Sequence, residues 1–128
     1  MKYLLLIYMD EQALDQAARE HCYVESTQLA HDLKANGHFL AASPLQPIST
    51  ATSVRVRDGK RLVTDGPFAE TREQLGGYFL VQAKDLDEAI GIAARIPGAR
   101  AGTVEIRPVI EIEGLPTAVA SLHESVRS

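Results

Sequence analysis

At 128 residues the chain has the length of one domain and enough surface to bury a core without a disulfide or metal staple. Hydrophobic residues make up 45%, the formal net charge is −4 and the pI is about 5.5. These values exclude a disordered body and argue against nucleic acid as a partner, because phosphate binding needs a dense positive face. The densest basic stretch, Arg55, Arg57, Lys60 and Arg61, is interrupted by Asp58. The single cysteine, Cys22, can close no intramolecular disulfide, which fits a reducing, cytoplasmic compartment.

Residues 2–9 are apolar on both faces, the pattern of a central strand covered on both sides. The run is too short to span a membrane and meets Asp10-Glu11 with no cleavage site of a signal peptide. Residues 12–36 read as a long helix whose stripe is Leu14, Ala18, Cys22, Ser26, Leu29 and Leu33, closed by Asn36-Gly37. A short strand is expected over His38 to Ser43, ended by Pro44 and Pro47. Thr52 to Arg57 alternates, Asp58-Gly59 signals a hairpin turn, and Lys60 to Thr64 is the returning strand.

Residues 65–77 read as an irregular connection, punctuated by Gly66-Pro67 and Gly76-Gly77, with a helical turn from Ala69 to Leu75. Tyr78 to Ala83 is a second strand apolar on both faces. Asp85 with Glu88 three residues on forms a capping arrangement for a helix buried through Leu86, Ala89, Ile90 and Ala93, which Pro97-Gly98 stops. Thr103 to Ile112 is the last strand, in which Pro108 marks an edge, a bulge or an end. Gly114 and Pro116 set off a tail in which Val119, Leu122 and Val126 give a weak amphipathic pattern. The division expected is one domain over 1–112 and a tail, a short helix or a fraying end, over 113–128.

The order of elements is that of an α+β, ferredoxin-like split βαβ fold with an added β-hairpin. Helices in that fold cover one face of the sheet. Strands apolar on both faces then call for a second cover, most simply another copy of the same sheet in a two-fold homodimer of the dimeric α/β-barrel kind.

Three stretches together resemble the YCII-like family, in its DGPF-motif branch. They are Met1 to Tyr8, the run from Val54 through Thr64-Asp65-Gly66-Pro67-Phe68-Ala69-Glu70-Thr71 to Tyr78, and Asp85 to Pro108. The resemblance implies a ferredoxin-like fold and a dimer. It also implies small-molecule chemistry, since some relatives are similar to enzymes, one of them a dehydrochlorinase acting on a chlorinated hydroxyquinol. Their acid–base pair is a histidine in the first helix with an aspartate. Here Ser26 stands at the histidine position, and Arg95-Ile96-Pro97 holds no carboxylate where the aspartate would fall.

Each candidate site residue has a structural and a functional reading. Asp65 either caps the Asp-Gly-Pro-Phe turn or serves as a general base at a pocket mouth. Glu70 either favours a helix N-terminus or pairs with Asp65 in acid–base catalysis. Gly66 supplies an unusual φ and Pro67 fixes the next step, while Phe68 accompanies them at the pocket. Ser26 bonds back to a carbonyl one turn earlier, or lines a pocket between helix and sheet together with Ser43. Tyr78 is aromatic core or a phenolic donor on a pocket wall. Arg107, like Arg55, is a solvated or interface ion-pair residue, or an anchor for an anionic substrate.

His21 and His31 are ten residues apart, off the i, i+4 spacing that chelates a metal on one face. No metal cluster, phosphate loop, Ser-His-Asp pattern or dinucleotide fingerprint appears, so no cofactor is expected. The leading expectation is acid–base chemistry of the lyase, dehydrochlorinase or isomerase kind on a small aromatic or carboxylated ligand. A ligand-binding or regulatory module and a plain interaction homodimer are the alternatives.

Overall fold

In the computed structural model, which describes residues 1–116, the chain runs through six strands and three helices. The order is β1 (Lys2–Met9), α1 (Gln16–Ala35), β2 (Phe39–Pro44), β3 (Thr52–Arg57), β4 (Lys60–Asp65), β5 (Gln74–Gln82), α2 (Leu86–Ala94), α3 (Gly98–Ala101) and β6 (Thr103–Pro108). Four strands form one antiparallel sheet in the order β2-β5-β1-β6, and β3 with β4 forms a separate two-stranded ribbon. Without the ribbon, this is the ferredoxin-like split βαβ, with each helix crossing over an intervening antiparallel strand. The amphipathic pattern of the tail at Val119, Leu122 and Val126 lies outside the described residues.

Short-range devices set the element ends. Asp15 accepts a hydrogen bond from the Ala18 N–H at 2.8 Å and so starts α1 at Gln16, four residues after the expected start at 12. A separate 3-10 turn, Glu11–Ala13, fills the gap. At the other end Gly37 sits at φ +80°, and the His38 N–H donates to the Leu33 carbonyl at 2.8 Å, a Schellman closure. Asp58 and Gly59, at φ 51° and 73°, make the ribbon's tight turn in the conformation that matches strand twist. Asp85 accepts from the Glu88 N–H, while the Glu88 carboxylate reaches back to the Lys84 N–H, both at 2.9 Å.

Tyr3 and Leu5 of β1 and Phe79 and Val81 of β5 point to one face of the sheet and are buried. Leu29 and Leu33 of α1, Ala89, Ile92 and Ala93 of α2, and Ile96 close over them. All three helices lie on this face. The alternate residues Leu4, Leu6, Tyr78 and Leu80 are half-buried on the opposite face, over which no helix lies.

Three expectations are corrected. β5 begins at Gln74, so Gly76-Gly77 lies inside a strand, and no helical turn forms from Ala69 to Leu75. The register between β1 and β5 slips at Ile7/Tyr8, with Gly77 opposite Ile7 and Leu75 opposite Tyr8, so the glycine pair is a β-bulge. Pro97-Gly98 does stop α2 but opens the short helix α3, and β6 ends at Pro108 rather than at Ile112.

Candidate functional site

The stripe of α1 changes character along its length. Leu29 and Leu33 reach the sheet and fill the core, whereas Cys22 and Ser26, toward the N-terminus, are too small to do so. The opposing surface is also cut back, to Ala42 of β2, Gly76 and Gly77 of the bulge, and Gly98 of α3. A cavity of about 400 Å³ remains between helix and sheet, within the range of roughly 300–1,000 Å³ that small-ligand pockets occupy. Its walls are mostly apolar, with Ile7, Met9, Phe39, Phe79 and Ile96 on the sheet side.

Polar groups enter from α1. Ser26 makes no hydrogen bond among the described residues, so the back-bond expected of a helix serine is absent; its neighbour Thr27 makes that bond instead, to the Tyr23 carbonyl at 2.7 Å. Tyr23, Thr27 and His31 stand at successive spacings of four and form a polar stripe along the cavity edge, continued by Lys34. In the sequence His31 stands off the relatives' histidine position and off metal-chelating spacing, so it was not placed at the site. The i, i+4, i+8 series beside the apolar stripe is the signal that could have found it.

The expected site residues divide into two groups. Ser26, Ser43 and Tyr78 lie on the cavity wall. Ser43 and Tyr78 face each other in the β2–β5 ladder, out of phase with buried Phe79, so strand alternation turns their side chains to the open face and leaves the cavity their main chain. Asp65, Gly66, Pro67, Phe68, Glu70 and Arg107 line neither this cavity nor the second one beside it.

Asp65 ends β4 exposed, Glu70 is exposed in the following connection, and neither carboxylate accepts a hydrogen bond from a described residue, so the expected cap at Asp65 is not formed. The turn is held by its main chain: the Gly66 N–H donates to the Ala51 carbonyl at 2.7 Å and the Ser53 hydroxyl donates to the Gly66 carbonyl at 2.7 Å, with Gly66 at φ +97°. Phe68 is 81% exposed. Arg107 pairs with Glu105 at 3.3 Å on the open face of β6.

A second cavity of about 490 Å³ adjoins the first and shares Met9, Cys22, Tyr23, Pro44 and Gly76 with it. Arg19 and Glu11 are its charged residues. The Arg19 Nη2 donates to the carbonyls of Glu11 and Leu14 at 3.2 and 3.4 Å. The Glu11 carboxylate accepts from the Ile48 N–H at 3.0 Å, and the Glu11 N–H donates to the Gln74 side chain at 3.0 Å. Arg100 of α3 donates through Nη2 to both Glu25 oxygens at 2.8 Å, and with the Arg95–Asp32 pair at 3.6 Å this ties α1 to α3 and to the end of α2. Among the described residues no group of three His, Cys, Asp or Glu side chains converges, and no helix is long and apolar enough to cross a membrane.

The fold is shared with 5-chloro-2-hydroxyhydroquinone dehydrochlorinase of Burkholderia phenoliruptrix AC1100, solved in complex with 2,5-dihydroxybenzoquinone. The TM-score is 0.55 at 13% identity, over 91% of this chain and 100% of that one. An uncharacterized protein of Rhizobium meliloti (strain 1021) is 34% identical over 118 residues, which is 85% of this chain and 92% of the relative. The profile of the YCII-related domain matches residues 1–113, and the chain belongs to that family.

Proposed function

We propose that the chain binds a small, planar, mostly apolar molecule between α1 and the sheet and moves a proton on it, as lyases, dehydrochlorinases and isomerases do. The cavity itself carries this reading: about 400 Å³ of apolar space lies where the core would otherwise close, with the Ser26 hydroxyl and the His31 imidazole at its α1 wall. Two further facts support it. The dehydrochlorinase of the same fold is described with a six-membered quinone, a ligand of suitable size. Ser26, at the relatives' histidine position, and Ile96, one residue of the Arg95-Ile96-Pro97 stretch near which their aspartate would fall, line this cavity. In this reading Ser26 donates a hydrogen bond to a ligand oxygen and His31 takes and returns the proton.

The test is a panel of hydroxylated quinones and hydroquinones, with and without chlorine, followed by melting temperature and by product formation. A bound member raises the melting temperature of the wild type by mass action. Ser26→Phe, which fills the cavity, removes that rise. His31→Gln retains binding and lowers turnover by about 10²–10⁴-fold, the usual worth of a general base. Turnover unchanged in His31→Gln would reject the acid–base role.

The replacement of the relatives' histidine and aspartate by Ser26 and a carboxylate-free Arg95-Ile96-Pro97 favours a second reading, a non-catalytic ligand-binding or regulatory module. Binding without turnover of any panel member would select it. Under either reading we propose a homodimer in which two copies bury the open sheet face around Leu4, Leu6 and Leu80, with light scattering on the purified protein as the check. Asp65 and Glu70 enter as catalytic residues only if that second copy brings them to a cavity.

A further inference from the structure

We propose that the cavity beside Arg19 is an anion subsite, which makes the ligand an aromatic acid: its ring sits between α1 and the sheet, and its carboxylate reaches Arg19. This rests on the ring-binding role of the first cavity proposed above. It goes further by assigning the adjoining space and naming the chemical class of the ligand.

The argument begins with the guanidinium. Arg19 is half-buried in the first turn of α1, and its Nη2 is fixed by the carbonyls of Glu11 and Leu14. Nε and Nη1 have no partner among the described residues, and no carboxylate lies within ion-pair distance of Arg19. A guanidinium carries five donors in a rigid fork. Two contacts through Nη2 hold the guanidinium still and leave the Nε and Nη1 hydrogens to donate to a carboxylate, at little further entropic cost.

The one acidic group of this cavity does not consume the cation. The Glu11 carboxylate is engaged by the Ile48 N–H, which ties it to the connection after β2. Its charge still opposes a bound anion, so its removal is informative. The two cavities share five wall residues, Met9, Cys22, Tyr23, Pro44 and Gly76, and three of these are small or turn-forming. The apolar cavity has no arginine on its wall, and the Arg19 cavity lacks Phe39, Phe79 and Ile96, the apolar wall of its neighbour. A ligand with an apolar ring and a terminal carboxylate matches both halves.

The experiment is calorimetric binding of 1,4-hydroquinone and 2,5-dihydroxybenzoate, which share a ring and differ by one carboxylate. The wild type is expected to bind the acid about tenfold more tightly, the worth of one charge-assisted contact. Arg19→Met removes the preference and leaves hydroquinone binding unchanged, and Arg19→Lys restores part of it. Glu11→Gln, which keeps an acceptor for the Ile48 N–H, increases the preference. Should Arg19→Met fail to fold, the wild-type preference must still shrink between low and high salt, as an exposed-mouth charge contact does. Hydroquinone binding with an equal affinity for the acid, or a preference that survives Arg19→Met, overturns this inference alone. Failure of both probes to bind overturns it together with the ring-binding reading.

Discussion

The β3–β4 ribbon and the space under α1 are opposites. The ribbon holds the most recognisable stretch of the chain, Thr64 to Thr71, yet its strands are exposed almost throughout and Val54, Val56 and Val63 are each about 60% exposed. The small side of the cavity is assembled from Cys22, Ser26, Ala30, Ala42 and three glycines, which come from distant segments. The segment that labels the family and the segment that offers room for a ligand are therefore different parts of the molecule. A motif built from turn residues specifies a backbone path; a pocket is specified by where large side chains are missing.

Substitutions can break this contrast or sharpen it. The largest effect is expected from Leu33→Ala, which hollows the filled half of the α1 contact and should cost about 2–5 kcal/mol in chemical denaturation. Val54→Ala in the ribbon should change stability by less than about 0.5 kcal/mol in the isolated chain. Equal losses at the two positions would erase the distinction. Gly98→Ala comes next: a β-carbon there collides with Ile7 Cγ2 beside the cavity, and overpacking of this kind costs about 1–3 kcal/mol.

Leu6→Glu probes the open side of the sheet. It should turn a dimer into a monomer by light scattering while the far-ultraviolet circular dichroism stays that of the folded chain; an unchanged mass would remove the sheet-to-sheet arrangement. Glu25→Gln breaks the Arg100 strap over α1, and because both groups are partly exposed the expected loss is below about 1 kcal/mol. Asp65→Asn is expected to be the smallest, within about 0.5 kcal/mol and with the ligand response intact, since its carboxylate accepts no hydrogen bond among the described residues. A lost ligand response in Asp65→Asn would bring the ribbon back to the site through a second copy of the chain.

What was legible in sequence was short-range. Gly37, Asp58-Gly59 and the Asp85/Glu88 pair each act within four residues, so their chemistry declares itself without a neighbour. The burial of β1 and β5 followed from their apolar runs, and the ferredoxin-like order from the sequence of periods. The site was less legible because its walls come from distant segments. Ser26 was singled out, but not for the hydroxyl left free when Thr27 takes the local acceptor. Arg19 was not singled out in the sequence, since its isolation from any described carboxylate is a three-dimensional fact. Gly76-Gly77 was taken for a break, because glycine pairs mark turns and bulges alike and only the pairing with β1 decides between them.

That bulge has a consequence for how β5 can vary. An extra residue in a strand shifts the phase of everything beyond it by half a pleat. In β5 it lets Leu75 join Tyr8 on the open face, and Gln74 join Met9 on the helix side, while Phe79 and Val81 stay in the core. Gln74 is thereby placed to accept from the Glu11 N–H and to donate to the Thr71 and Arg72 carbonyls at 2.7 and 3.1 Å. The two ends of one strand are in effect read in different frames. Deleting Gly76 would regularise the ladder and leave Leu75 opposite Tyr8 and Gln74 opposite Met9, whereas pairing Gly76 itself with Tyr8 would exchange Leu75 and Gln74 between faces and turn the rim of the Arg19 cavity from polar to apolar.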